Sequence, residues 1–143
     1  MFRVSPLTAS QTGQAALVER TCLETAWSEA QLRSLPPDSV YLVAEDETGA
    51  VCGICSARLL DGEAELLNLA VLPAFRRMHI ASDLLSALFS FAIDRGCGRM
   101  YLEVAKTNES AVALYRAAGF REIGVRRGFY RGVDAWTMEK TLC

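Results

Sequence analysis

Hydrophobic and polar positions change period several times along the chain, and each change marks a predicted element. Over residues 10–24, Leu17, Val18, Thr21 and Cys22 recur at helical spacing and predict a first helix. A second helix has a sharper start. Ser28 and Gln31 stand as a capping-box pair, Trp27 and Leu32 take the staple positions around the cap, and Pro36-Pro37 ends the segment. From Val40 the texture turns to strands over residues 40–45, 50–60 and 63–71, separated by Glu47-Thr48-Gly49 and by Asp61-Gly62. Both residues of an Asp-Gly turn tolerate positive φ, so these runs predict consecutive antiparallel strands.

Residues 82–95 then place Leu84, Leu85, Leu88, Phe91 and Ala92 on one helical face, with Gly96 as the stop. Residues 99–105 read as a strand. Thr107 or Asn108 caps a further helix that runs to about Ala118 and stops at Gly119. Residues 121–125 and 134–140 make a closing pair of strands. The order is two helices, three strands, helix, strand, helix, two strands, which predicts an α+β fold with one mixed sheet covered by helices.

Composition narrows the picture. The 143 residues suffice for one core, so residues 1–143 are expected to form a single domain. A net charge of −2 gives no broad cationic surface, which argues against nucleic acid as a direct ligand. The start, Met1 to Pro6, lacks the pattern of a signal peptide, and no apolar run approaches the ~18 residues of a membrane span, so a cytoplasmic protein off the membrane is expected. Five cysteines, an odd number, are read as reduced thiols. Cys52-Gly53-Ile54-Cys55 has C-x-x-C spacing, but it falls in a strand, where the two thiols are expected on opposite faces. With no second such pair and His79 the one histidine, no metal is expected.

The chemistry concentrates where the third strand meets the long helix. Asn68-Leu69-Ala70-Val71-Leu72-Pro73 leads through Arg76 and Arg77 into the helix near Ser82. Free amides and the positive end of the helix dipole meet there, with two guanidinium groups nearby, which makes an anion site and suggests a phosphate ligand. The alternative is a solvated basic loop.

Arg76-Arg77-Met78-His79-Ile80-Ala81 resembles the pyrophosphate-binding motif Q/R-x-x-G-x-G/A of the GNAT superfamily of N-acetyltransferases. Its first and last positions match, and histidine replaces glycine. Leu102-Glu103-Val104, Asn108-Glu109-Ser110-Ala111, Leu114-Tyr115 and Gly119-Phe120 are similar to the "LEVRxSNxxAxxLYxxxGF" signature of the ribosomal-protein-alanine branch. Ala26-Trp27-Ser28-Glu29 and Arg126-Arg127-Gly128-Phe129-Tyr130 are similar to its "PWSE" and "RRxYY" segments. The resemblance is good over residues 40–142 and weak before them.

It implies a GNAT-like fold, a mostly antiparallel sheet of about six to seven strands with about four helices. It also implies acetyl-CoA as cosubstrate and a protein N-terminus as acceptor, that of ribosomal protein S18 in particular. By the same resemblance Arg76, Arg77, His79, Ile80, Ala81 and Ser82 hold the diphosphate. Leu69, Ala70 and Val71 meet the pantetheine arm through their backbone, Asn108 contacts CoA, and Trp27 and Tyr130 line the acceptor groove. Asn108 as a cap, and Trp27 as packing, would each explain those residues without a ligand.

Glu103 and Tyr115 are the candidates for catalysis. Amide formation needs a neutral amine, and the thiolate leaves more readily when protonated, so a carboxylate and a phenol suit the two roles. Glu103 stands in an apolar strand with Leu102 and Val104 directed to the other face, and Tyr115 lies on the helix side shared by Asn108 and Ala111. Their plainer readings are an exposed strand residue and a core aromatic; the resemblance implies base and acid. Another acceptor amine, or a CoA-binding module without turnover, remains open.

Overall fold

The computed structural model describes residues 2–142; the side chain of Tyr130 lies outside the described atoms. Among the described residues there are seven strands: β1 (Arg3–Pro6), β2 (Ser39–Glu45), β3 (Val51–Leu60), β4 (Glu63–Val71), β5 (Arg99–Ala105), β6 (Arg121–Tyr130) and β7 (Val133–Thr141). They form one sheet in the order β1-β2-β3-β4-β5-β7-β6. Every neighbouring pair is antiparallel except β4 and β5. The helices are α1 (Thr12–Cys22), α2 (Glu29–Arg33), α3 (Ile80–Asp94) and α4 (Glu109–Ala117). The expected α+β architecture is met.

Local chemistry sets most boundaries. Asp61 and Gly62 both take positive φ, 53° and 79°, which matches the right-handed twist of the β3–β4 hairpin. At α2 the Ser28 side chain accepts the Gln31 amide while the Gln31 side chain reaches back to the Ser28 amide. The helix is held at its start despite having only five residues.

The sheet separates two apolar layers. On one face α3 drives Ile80, Leu84, Leu85 and Leu88 against Leu42, Ala57, Met100 and Leu102, all buried. Each such side chain contributes about 1.5–3 kcal/mol by leaving water, so this helix holds a large share of the fold's stability. On the other face α1 and α2 cover Tyr41, Val43, Val51, Ile54 and Ala70.

Four departures from the sequence reading have physical reasons. Strand β1 was not expected, because four residues ending in Pro6 carry too little alternation to register. Helix α3 begins at Ile80 rather than Ser82, since the Asp83 amide already bonds to the His79 carbonyl at 3.0 Å. Strand β6 continues past Val125 to Tyr130 by way of an irregularity between Arg126 and Tyr130 that Gly128, at φ 65°, accommodates. Finally, the register against β2 slips so that Cys52 is the extra residue of a β-bulge. The bulge breaks the alternation, and Cys52 and Cys55 join the same cluster under α3 instead of facing opposite ways. Both are free, buried thiols whose pKa burial pushes up.

Candidate active site

The site begins as a failure of two strands to stay paired. Strands β4 and β5 run parallel in register only from Glu63 opposite Arg99 to Glu65 opposite Tyr101. Beyond that point they part. Ser56 of β3 faces Asn68 and Ala57 faces Leu66, so Leu67 is the extra residue of a bulge in β4 at the place where the strands separate. A bulge bends its strand and raises the local twist, which carries β4 away from β5.

The gap is a cleft of about 480 Å³, within the range of small-ligand sites. Its walls are residues 67–69 of β4, residues 103–105 of β5, and Asn108, Ala111 and Tyr115 at the start and inner face of α4. Residues 22–25, from the last residue of α1 into the segment before α2, Arg131 in the β6–β7 turn and Val133 at the start of β7 complete it.

Glu103 enters the cleft because β5 alternates: Leu102 and Val104 are buried in the α3 layer, and the residue between them points the other way. Its carboxylate is one-fifth exposed. Arg126 Nη1 donates to Oε1 at 2.8 Å, and the Thr137 hydroxyl, directly opposite on β7, lies 3.5 Å from Oε2. Arg126 is itself mostly exposed, so the pair is worth at most about 1 kcal/mol and can yield to an incoming ligand. Tyr115 reaches the same cleft from α4, its ring edge-on to Phe120 at 5.8 Å. Asn108 caps α4, its Oδ1 accepting the Ala111 amide at 3.3 Å.

Beyond Glu65, strand β4 turns towards the gap backbone that β5 does not pair. The Leu72 amide bonds to Cys52 of β3, so the alternation of an antiparallel ladder turns the polar groups of Ala70 towards β3 and those of Leu69 and Val71 away from it. The Val71 carbonyl accepts Arg76 Nε at 3.2 Å and the Cys22 thiol at 3.5 Å.

Past the end of β4, Arg77 and His79 both adopt left-handed backbone, at φ 65° and 62°. A left-handed residue followed by a right-handed one, as His79 is by the helical Ile80, turns successive N–H groups inward and favours anion binding. His79 is the N-cap of α3, so the amides of Ile80, Ala81 and Ser82 have no acceptor within the helix. The Ile80 side chain is core, which fixes the helix start while its amide stays available. Arg77, His79 and Ser82 are exposed.

The structure thus brings Glu103, Tyr115, Asn108 and Leu69 into one cleft, with the loop from Arg76 to Ser82 following the end of β4 that forms its wall. It does not bring Trp27 there. That ring is half-buried in the α1–α2 layer with Leu7, Cys22 and Leu23, and the residue's amide donates to Glu19 Oε1 at 2.8 Å. Tyr130 lies in β6, its side chain outside the described atoms. Sequence reasoning missed Thr137, the wall at residues 22–25, and the pairing of Arg126 with Glu103. A cation two strands away leaves no periodic signal, and a loop without alternation leaves none either.

The profile of the "Acetyltransferase (GNAT) family" matches residues 11–120. The [ribosomal protein bS18]-alanine N-acetyltransferase of Haemophilus ducreyi is 31% identical over 113 residues, 79% of this chain and 78% of that protein. The N-alpha-acetyltransferase RimI of Mycobacterium tuberculosis is 45% identical over 80 residues, 54% of this chain and 49% of that one. The crystal structure of the ribosomal-protein-S18-alanine N-acetyltransferase from Escherichia coli superposes with a TM-score of 0.89 at 28% identity, covering 99% of this chain and 94% of that chain. With a split sheet, a left-handed loop at a helix start and these likenesses agreeing, the chain belongs to the GNAT family and is an N-acetyltransferase of the RimI type.

Proposed function

We propose that this N-acetyltransferase acetylates a protein N-terminus in the cytoplasm, with the N-terminal alanine of ribosomal protein S18 as acceptor and acetyl-CoA as donor. The supporting observation is that Glu103 and Tyr115, from two different elements, line the one cleft opened by the β4–β5 split. The names of the relatives support the choice of acceptor.

The chain's features fit a CoA ester along their whole length. The loop through Arg77 and His79 and the amides of Ile80, Ala81 and Ser82 suit a diphosphate, with Arg76 and Arg77 adding charge. The outward backbone groups of Leu69 and Val71 suit an extended amide-bearing arm laid along β4 like an added strand, with Ala70 keeping that strand in place on β3. Asn108 lines the same cleft as Ala111 and Tyr115, within reach of a cofactor laid along it.

Acetyl-CoA supplies the acyl group: the amine nitrogen bonds to the carbonyl carbon as the carbon–sulfur bond breaks. Glu103 takes the amine proton, directly or through a water, and Tyr115 gives a proton to the departing sulfur. Proton exchange with water restores both. Arg126 holds the Glu103 carboxylate in place before the acceptor arrives.

The test mixes the protein with acetyl-CoA and a peptide carrying the S18 N-terminus, and reads mass. One added acetyl group on the peptide's α-amine is expected. Glu103→Gln and Tyr115→Phe should each slow transfer about a hundredfold. Unchanged rates remove them from those roles, and binding of acetyl-CoA without transfer to any amine defeats the enzymatic reading in favour of a binding module.

A further inference from the structure

Glu19 is fully buried in the layer between α1 and the sheet, an unusual place for a carboxylate. Its two oxygens are both used. Oε1 accepts the Trp27 amide at 2.8 Å, and Oε2 accepts the Tyr41 hydroxyl at 2.5 Å. Its own carbonyl accepts the Leu23 amide at 2.8 Å, closing the C-terminal end of α1. One residue therefore holds both ends of the segment 23–27, by its backbone at Leu23 and by its side chain at Trp27. Tyr41, on β2, ties that residue to the sheet.

The span between those ends supplies the cleft wall at residues 23–25, next to Cys22 at the end of α1. Residues 23–25 have no regular secondary structure, and Glu24 among them is exposed, 3.9 Å from Arg131. An exposed pair so long contributes little, so the buried carboxylate is the stronger restraint on the wall's position. The same carboxylate fixes Trp27, the residue just before the Ser28 cap of α2.

We propose that Glu19 is a positioning residue for the acceptor: it holds the α1–α2 segment as a rigid wall across the cleft from Glu103, so that the incoming amine meets a preformed groove. This rests on the acetyl-transfer reading above. Glu19 itself hydrogen-bonds neither to the loop at residues 76–82 nor to the outward backbone of β4, and the wall meets that backbone at the Cys22 thiol on the Val71 carbonyl, so the larger effect falls on the acceptor and the smaller on acetyl-CoA.

Glu19→Met fills similar space and accepts no hydrogen bond. Of the two bonds it removes, the one to the Trp27 amide bears on the wall, so it should raise KM for the acceptor peptide about tenfold while KM for acetyl-CoA moves less than about twofold. Glu19→Gln keeps an oxygen for the Trp27 amide and can donate to the Tyr41 oxygen; it should restore the acceptor KM to within about threefold of the native value. A merely structural role would lower the thermal midpoint in both variants and shift both KM values together. An unchanged acceptor KM in Glu19→Met overturns the proposal. Should that variant fail to fold, amide hydrogen exchange on the native protein decides: the Trp27 amide should be protected like those of β3 despite lying outside any helix or strand, and rapid exchange there overturns the proposal. A native protein that binds acetyl-CoA and acetylates no amine fails differently, overturning the transferase reading and the acceptor role with it, while the exchange measurement still reports whether the anchor exists.

Discussion

At His79 the backbone sits at φ 62° and ψ 18°, a conformation that costs a residue with a Cβ about 1 kcal/mol or more and costs glycine nothing. The pyrophosphate motif that residues 76–81 resemble has glycine at this point, and here the chain keeps a left-handed shape without it. Histidine is among the side chains that tolerate the left-handed region, and its amide is oriented as a glycine amide would be. His79→Gly should therefore stabilise the protein, by about 1 kcal/mol or less because glycine also frees the unfolded chain. Thermal unfolding should show a midpoint raised by a few degrees, about 2–4 °C at most. Affinity for CoA, measured by calorimetry, should be equal or better, since the amides are kept and the ring is removed from the loop. A lower midpoint would mean that the imidazole makes a contact stronger than the strain it imposes. The residue was legible in the sequence because the motif names the position. Arg77, left-handed too, was not, since nothing local in Arg76-Arg77-Met78 marks it.

Elements were legible where one period governed enough residues. Strands β4 and β5 and helix α4 were readable to within a residue or so, because each alternates or repeats cleanly and ends at Pro, Gly or a capping Asn. The split between β4 and β5 was not. It depends on pairing that stops after Glu65 and on a bulge at Leu67, and neither leaves a mark in a run as plain as Glu63-Ala64-Glu65-Leu66-Leu67. Helix α4 offers a test that separates architecture from ligand. Asn108→Ala removes the bond to the Ala111 amide and should cost about 1 kcal/mol of stability, whereas Asn108→Asp keeps a capping oxygen and should cost almost nothing. If the residue only caps, CoA affinity follows stability and the Asp variant binds like the native protein. If Asn108 also contacts the cofactor, the Asp variant, folded as well as native, should bind CoA more weakly because a carboxylate replaces an amide near an anionic ligand. Calorimetry on the two variants beside their melting curves distinguishes the cases.

Across the whole molecule, a sheet that splits at one end must be clamped at the other, and the clamp is ionic. Glu63 on β4 meets Arg99 and Tyr101 on β5; Arg99 also reaches Glu139 on β7 at 3.1 Å, and Glu139 meets Arg121 on β6 at 3.1 Å. Four strands are linked beside the few parallel pairs that β4 and β5 retain. The Tyr101 hydroxyl and the Arg99 guanidinium hold the Glu63 carboxyl below its ordinary 4.5, and Arg116 does the same for Glu122 on β6. Asp46, below its ordinary 3.8, is held there first by the Thr48 hydroxyl. A carboxyl whose folded-state pKa is depressed gives stability that is whole above the unfolded value and lost as pH falls through the folded one. The midpoint of unfolding should therefore be flat above about pH 5 and fall as pH drops below the ordinary carboxylate range. These groups are partly exposed to solvent, so 1 M salt, with a screening length of about 3 Å, should flatten that dependence. Glu63→Gln should lower the midpoint at pH 7 and reduce the loss between pH 5 and pH 3, because one of the titrating contributors is gone. It should also loosen the closed end of the sheet, so hydrogen exchange at residues 63–65 and 99–101 should quicken while the α1 layer keeps its protection. A variant as sensitive to acid as the native protein would remove Glu63 from the clamp and leave the parallel hydrogen bonds alone to set where the cleft begins.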